Sequence, residues 1–146
     1  MIAYLDSSAL VKLFLDEAGS DVARDVWDSG APLATSRVSH AELACALAAA
    51  IRSGRYRRAS VDPDVIDGAF LRGRAYLVEV DSDVVDSAAV VGVRHSLRGM
   101  DSIHVASAIG LRAFDPLLVS WDHRQRHAAD AEGIAVYPEM TTAALR

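Results

Sequence analysis

The chain has 146 residues, 51% of them hydrophobic, and its 15 basic and 20 acidic residues give a formal charge of −5. That is one domain's length of chain with apolar content for a full core, which excludes wholesale disorder. No run of about 18 uncharged apolar residues is present, so no membrane-spanning helix is expected. The N-terminus opens directly on a strand pattern without a signal-peptide layout, and a lone Cys45 cannot form an internal disulfide, so a cytoplasmic location is expected. A net acidic chain argues against a broad basic footprint for nucleic acid. Setting aside four acids considered below leaves it close to neutral, however. Its basic residues are almost all arginine, with Lys12 the only lysine, and arginine suits bidentate phosphate contacts.

In chain order, Met1–Leu5 reads as a buried strand and Ser8–Leu15 as a helix. After Gly19 and Ser20 a second helix covers Asp21–Asp28. Residues 32–36 form a short strand. Ser39–Arg52 is a helix so rich in alanine and leucine that most of it is expected to be buried. Gly54 and the arginines 55, 57 and 58 mark a loop. Asp62 and Pro63 pair a cap with a proline at the first helical position, and Val65, Ile66, Ala69 and Phe70 continue at helical spacing. Strand 76–80 follows. Asp81 and Ser82 cap a helix carrying Val84, Val85, Ala88 and Val91. The next helix runs over Asp101–Ala113, with Ile103, Ala106, Ala108 and Ile109 inward, and is broken at Asp115–Pro116. Strand 117–121, a helix over Arg124–Glu132 stopped by Gly133, strand 134–137 and a short tail complete the chain. Short apolar strands alternating with helices predict an α/β fold with three α/β/α layers and a central parallel sheet, in one domain over residues 1–146.

Four carboxylates stand where apolar runs give way to helices: Asp6, Glu42, Asp101 and Asp122. In open parallel sheets the ligand site lies at the carboxyl ends of the strands, and Asp6 and Asp122 both fall there. If the fold gathers the four, their mutual repulsion calls for protons or a cation. Hard oxygen ligands suit Mg²⁺ or Mn²⁺, and such a site suits phosphoryl chemistry. Each acid also has a plainer reading. Asp6, Asp101 and Asp122 can each be a helix N-cap. Ser39 and Glu42 match a capping box, in which Glu42 would bond back to the Ser39 amide. Yet Glu42 is the only acid in a long apolar helix, where an ionised group needs a partner.

The segment Tyr4-Leu5-Asp6-Ser7-Ser8-Ala9-Leu10-Val11-Lys12 resembles the opening strand and turn of PIN-domain ribonucleases. Ser39-His40-Ala41-Glu42-Leu43 and Arg98-Gly99-Met100-Asp101-Ser102-Ile103-His104-Val105-Ala106 resemble their second and third acidic motifs. Val119-Ser120-Trp121-Asp122, followed by Ala128-Ala129 and Gly133-Ile134, resembles their closing segment. The four matches fall in family order across nearly the whole chain. In size and layout the chain is similar to VapC-type toxins of bacterial toxin–antitoxin pairs. The resemblance implies a PIN-like fold and a metal-dependent endoribonuclease. Asp6 and Asp101 would be the main ligands of Mg²⁺ or Mn²⁺, and Glu42 and Asp122 would complete the site directly or through water. It further implies an RNA substrate (transfer, ribosomal or messenger), an antitoxin presenting an arginine to the carboxylates, and a homodimer. Ser7 is read as a helix cap or a bond to a site carboxylate. Ser120 is read as orienting a carboxylate or water, or as a plain strand residue.

Other residues carry weaker signals. His104 lies three residues after Asp101 on one helical face, and its expected role is structural. Cys45 is expected in the core and His123 in solvent. Trp121 is expected to pack rather than stack a base. Arg124 and Arg126 flank the last acid, on an exposed helix face or against phosphates. Three alternatives stand beside the nuclease. One is an inactive PIN-like module that only binds. The others, an aspartate-based phosphatase and a receiver domain, need a neighbouring second acid and a late lysine, whereas this chain has Ser8 and only Lys12.

Overall fold

The structure, a computed structural model, describes residues 1–139, the side chains of Gly68 and Ala69 excepted. The expected tail lies mostly outside the described residues. The five expected strands are present as β1 (Ile2–Leu5), β2 (Leu33–Ser36), β3 (Tyr76–Val78), β4 (Pro116–Val119) and β5 (Ala135–Tyr137). All pair in parallel, in the order β3-β2-β1-β4-β5. The chain builds outward from β1 to β3 on one side, then crosses to β4 and β5 on the other. The connections after β1 and β4 therefore diverge at a switch point, where such sheets open a crevice. Register carries the detail. Leu5 pairs with Val119, so the residues after them, Asp6 and Ser120, come side by side.

Helices cover both faces: α1 (Ser7–Val11), α2 (Ser20–Asp28), α3 (Ser39–Arg52), α4 (Pro63–Val65), α5 (Arg72–Arg74), α6 (Ser82–His95), α7 (Gly99–Gly110) and α8 (His123–Ala131). Successive strand residues point to opposite faces. Ala3 and Leu5 of β1 therefore pack with Leu10, Leu43, Leu47 and Leu71 on one side. Ile2 and Tyr4 pack with Ala108, Leu118, Ala129 and Ile134 on the other. This is the three-layer α/β/α arrangement expected. Among the described residues no helix is long and apolar enough to cross a membrane.

Several local expectations are corrected. The first helix ends at Val11, not Leu15, and the chain turns there. In α3 only Ser39, Leu43, Leu47 and Ala50 are buried, while Ala41, Cys45 and Ala49 face solvent. Alanine is compatible with either environment, so an alanine-rich helix marks propensity rather than depth, and Cys45 is exposed, not core. The helix capped by Asp62 passes into a π-helical turn over Ile66–Leu71. Its buried residues Ile66 and Leu71 are five apart, the π spacing. In α6 Ala88 and Val91 are buried, but Val85 is 48% exposed. The helix expected from Asp101 begins at Gly99 and ends at Gly110, before a short 3₁₀ turn over Arg112–Phe114.

Gly19 is where α2 depends on a missing side chain. Its φ is +87°, and a Cβ built there would lie 2.5 Å from Trp121 Nε1 and under 3 Å from two further ring atoms. The indole cannot easily yield, because Lys12 Nζ lies over it, 5.0 Å from the ring centroid. Gly19→Ala combines a left-handed backbone, costing about 1–2 kcal/mol, with overpacking of about 1–3 kcal/mol. We expect the midpoint of thermal unfolding to fall by roughly 2–4 °C per kcal/mol. Circular-dichroism melting checks this, and an unchanged midpoint would mean that the α1–α2 turn repacks freely.

Candidate active site

Asp6 closes β1 and caps α1, its Oδ1 accepting from Ala9 N at 3.0 Å. It is fully buried. Ser8 Oγ donates to Oδ1 at 2.6 Å, and Ser120 Oγ donates to Oδ2 at 2.6 Å. Ser120 Oγ in turn accepts from Asp122 N at 3.0 Å. Asp122 does cap α8, accepting from Gln125 N at 3.0 Å. The side chain of the same glutamine donates from Nε2 to Asp101 Oδ1 at 3.2 Å. The cap of α7 is Arg98, so Asp101 lies inside the first turn and is not a cap.

Glu42 does not form the capping box. The α3 cap is Val38, and Ser39 Oγ instead pairs with Thr35 Oγ1 at 2.7 Å. Glu42 reaches across to the β1 turn, where Ser7 Oγ donates to its Oε1 at 2.7 Å. His104 Nε2 stands 2.6 Å from that same oxygen and Nδ1 2.9 Å from the Tyr4 hydroxyl. A carboxylate only accepts, so Nε2 carries a proton and donates to Glu42. Tyr4 is fully buried, and burial pushes its hydroxyl pKa up, so it stays a phenol. His104, only 1% exposed, thus belongs to the acidic site and is not merely core.

These bonds form one chain of contacts. It runs from Asp101 through Gln125 to Asp122, through Ser120 to Asp6, and across the Ser7–Ser8 turn to Glu42 and His104. Its electrostatics are uneven. Burial raises the Asp6 pKa above the usual carboxylate value, against the His104 charge and the bonds from Ser120, Ser8 and Ala9. Burial and then the negative charge of Asp122 raise that of Asp101. At Glu42 burial also pushes upward, but the bond and charge of His104 and the bond from Ser7 outweigh it, leaving the pKa lowered.

Glu42 and Asp122 line one open cavity of about 540 Å³, together with Ser7, Ser8, Lys12 and Trp121. Asp101 borders a second, of about 710 Å³, beside Arg98 and Met100. Among the described residues Glu42 Oε2, Asp101 Oδ2 and Asp122 Oδ2 accept no hydrogen bond. These are free hard-oxygen donors of the kind Mg²⁺ takes. Among the described residues no three His, Cys, Asp or Glu side chains are placed to hold one metal ion directly. Mg²⁺ usually keeps several waters and takes one or two carboxylates, so the donor set fits such a partly hydrated ion.

Gln125 was missed in the sequence because an amide carries no charge signal; its place three residues after Asp122, one turn along, was the available clue. Arg126 is corrected: it is buried at 7% exposure and donates to the Pro138 carbonyl, so it does not face solvent. Trp121 packs under Lys12, as expected of a structural residue.

The PIN domain matches residues 3–131. Ribonuclease VapC45 of Mycobacterium tuberculosis (strain CDC 1551 / Oshkosh) is 32% identical over 137 residues, which cover 94% of this chain and 95% of that protein. Ribonuclease VapC46 of Mycobacterium tuberculosis (strain ATCC 25618 / H37Rv) is 34% identical over 137 residues, covering 91% and 94%. Among solved structures, a toxin–antitoxin complex from Klebsiella pneumoniae contains a chain with the same fold. Its TM-score is 0.58 at 15% identity, over 85% of this chain and 89% of that one. By its strand order, its acid-bearing strand ends and these matches, the chain belongs to the PIN-domain family.

Proposed function

We propose that the protein is a metal-dependent endoribonuclease, the toxin of a toxin–antitoxin pair, that hydrolyses RNA phosphodiester bonds in the cytoplasm. The observation that carries this reading is the hydrogen-bonded chain linking Asp6, Glu42, Asp101 and Asp122 at the carboxyl edge of the sheet. The printed names of the relatives, ribonucleases at 32% and 34% identity, support it. Asp6 and Asp101 would be the main holders of Mg²⁺, or Mn²⁺, with Glu42 and Asp122 completing the set. Bound there, the ion would supply a water of lowered pKa and offset negative charge on the phosphate. Ser8 and Ser120 fix both oxygens of Asp6. Ser7 and His104 fix one oxygen of Glu42 and leave the other without a hydrogen bond among the described residues, where it would be available to an ion. Incubating RNA with Mg²⁺, Mn²⁺ or excess chelator tests the proposal: cleavage should need the ion. Undiminished cleavage in chelator would reject the metal, and binding without cleavage under every condition would favour the inactive module.

Two partners belong to the same reading. The Klebsiella pneumoniae structure is of a toxin–antitoxin complex. By that analogy an antitoxin would seat a basic side chain, an arginine, against Glu42 and Asp122, replacing the ion's charge. We also propose a homodimer through the exposed apolar residues of α6 and the start of α7, where Val85, Val93 and Met100 are 48%, 85% and 40% exposed. Light scattering at micromolar concentration should give twice the chain mass, and a strict monomer would refute the dimer. Sequencing the ends of RNAs cut in cells would identify the transfer, ribosomal or messenger RNA that is the target.

A further inference from the structure

A cavity on the far side of Asp122 differs in character from the acidic one. His95, Ser96, His123, Arg124, His127 and Ala128 line about 380 Å³ between the end of α6 and the first turns of α8. No carboxylate lines it, although the chain carries a formal charge of −5, and three of the five histidines meet there. His123 and His127 are one turn apart on α8 and exposed. The opposite wall is braced from behind. Glu132 Oε1 lies 2.7 Å from His95 Nε2 and accepts from Arg94 at 2.6 Å.

The lining narrows the choice of ligand. Imidazoles hold transition metals by direct ligation, and among the described residues no three such side chains are placed to share an ion. What remains is a group of donors: a guanidinium, a hydroxyl and imidazole N–H groups. They suit an anion with several acceptor oxygens, and arginine suits phosphate above all. The position narrows it further. Ser96 leads through Arg98, whose charge reaches Asp101, into α7. His123 follows Asp122 directly, and Gln125 ties Asp101 to Asp122 between the two walls.

We propose that this cavity is a phosphate subsite for the RNA strand, seating a phosphodiester next to the one that is cut. The proposal rests on the nuclease reading and gives the polyanion donors on a wall that no carboxylate lines, beside a cluster of like charge. Arg126 is committed to Pro138, so Arg124 carries the permanent charge here.

The test compares wild type, Arg124→Ala and the double variant His123→Ala/His127→Ala on a fluorescein-labelled single-stranded RNA of mixed sequence. Losing one charge-assisted hydrogen bond should raise KM roughly 10-fold with kcat little changed. For Arg124→Ala the slope of log affinity against log salt should fall by about one. Inorganic phosphate titrated onto the wild type separates the two sources of the anion. Shifts of the His123 and His127 ring signals with no effect of the variants on RNA binding would assign the cavity to a free anion and overturn the subsite. Variants matching an active wild type in KM and salt slope would also overturn it, as would a fall in kcat alone. A wild type that cuts no RNA would remove the nuclease reading and the subsite together.

Discussion

Asp6→Asn is expected to lower RNA cleavage by at least about 100-fold, since even losing a residue that only supports a metal ligand costs about 10–100-fold. Without divalent ion it is also expected to raise the melting temperature at neutral pH. The two effects share one origin. Asp6 is fully buried, and burial raises its pKa. A carboxyl with a raised folded pKa binds more protons folded than unfolded between the unfolded value and the folded one. Stability therefore falls as pH rises through that window and stays lower above it. Asparagine removes the ionisation and with it the cost. Its oxygen keeps the bonds from Ala9 and Ser8, and its amide can donate to Ser120 Oγ in place of the present bond. The stability gain should be largest at neutral pH and shrink toward pH 4, near the ordinary carboxylate value of 3.8. Each kcal/mol gained moves the midpoint about 2–4 °C. Mn²⁺ should raise the melting temperature of the wild type and hardly that of the variant. Asp101→Asn should abolish cleavage likewise, its pKa being raised by burial and by Asp122. If Asp6→Asn cuts RNA at the wild-type rate, Asp6 is only a helix cap.

His104→Phe should cost about 10–100-fold in Mn²⁺ affinity, the scale for an outer group that orients a ligand. The ring volume is nearly retained, so packing in α7 survives. Its hydrogen bonds are lost, the 2.6 Å bond to Glu42, the 2.9 Å bond to Tyr4 and the 3.3 Å contact with Ser7 Oγ. Glu42 then keeps only Ser7, and the buried Tyr4 hydroxyl is left short of a partner at about 1–3 kcal/mol. Glu42 also loses the charge and bond that hold its pKa down. A lowered folded pKa stabilises the fold above the unfolded value of 4.5, a contribution lost as pH falls through the folded one. In the variant that contribution shrinks. Calorimetric titration with Mn²⁺ reads the affinity apart from cleavage, and His104→Gln, which retains an N–H donor, should recover part of it. Equal Mn²⁺ affinity in the wild type and both variants would confine His104 to packing.

What the sequence showed and what it hid divide by distance along the chain. Strands, caps at Asp62 and Asp81, and the stop at Gly133 follow from neighbours a few residues apart. So do the positions of Asp6 and Asp122 at strand ends. The partners of Glu42 do not, because Ser7 is 35 residues away and His104 is 62. Ser39 and Glu42 stand at capping-box spacing, yet Ser39 pairs with Thr35 and Glu42 with the distant Ser7 and His104. The depth of Cys45 was hidden for another reason. Small apolar residues fill every side of α3, so no periodic contrast marks which stripe meets the core. A π-helical turn stands where a plain helix was expected, and its Ile66 and Leu71, five apart, both lie in the core.

β1 is hydrogen-bonded on both sides, to β2 and to β4, and both of its faces are covered. Its amides should therefore exchange with deuterium only when the whole domain opens, at the full free energy of unfolding. The short α8, with His123, Arg124 and His127 exposed, and the Ser96 turn lie at the rim and should exchange through local opening. Tyr4 and Leu5, leading into Asp6, belong to the slow class, and the residues around Asp122 belong to the fast one. Two links of the hydrogen-bonded chain, Asp6 and Asp122, thus keep different time. The floor of the site persists as long as the fold does, while its rim can loosen and re-form without global unfolding.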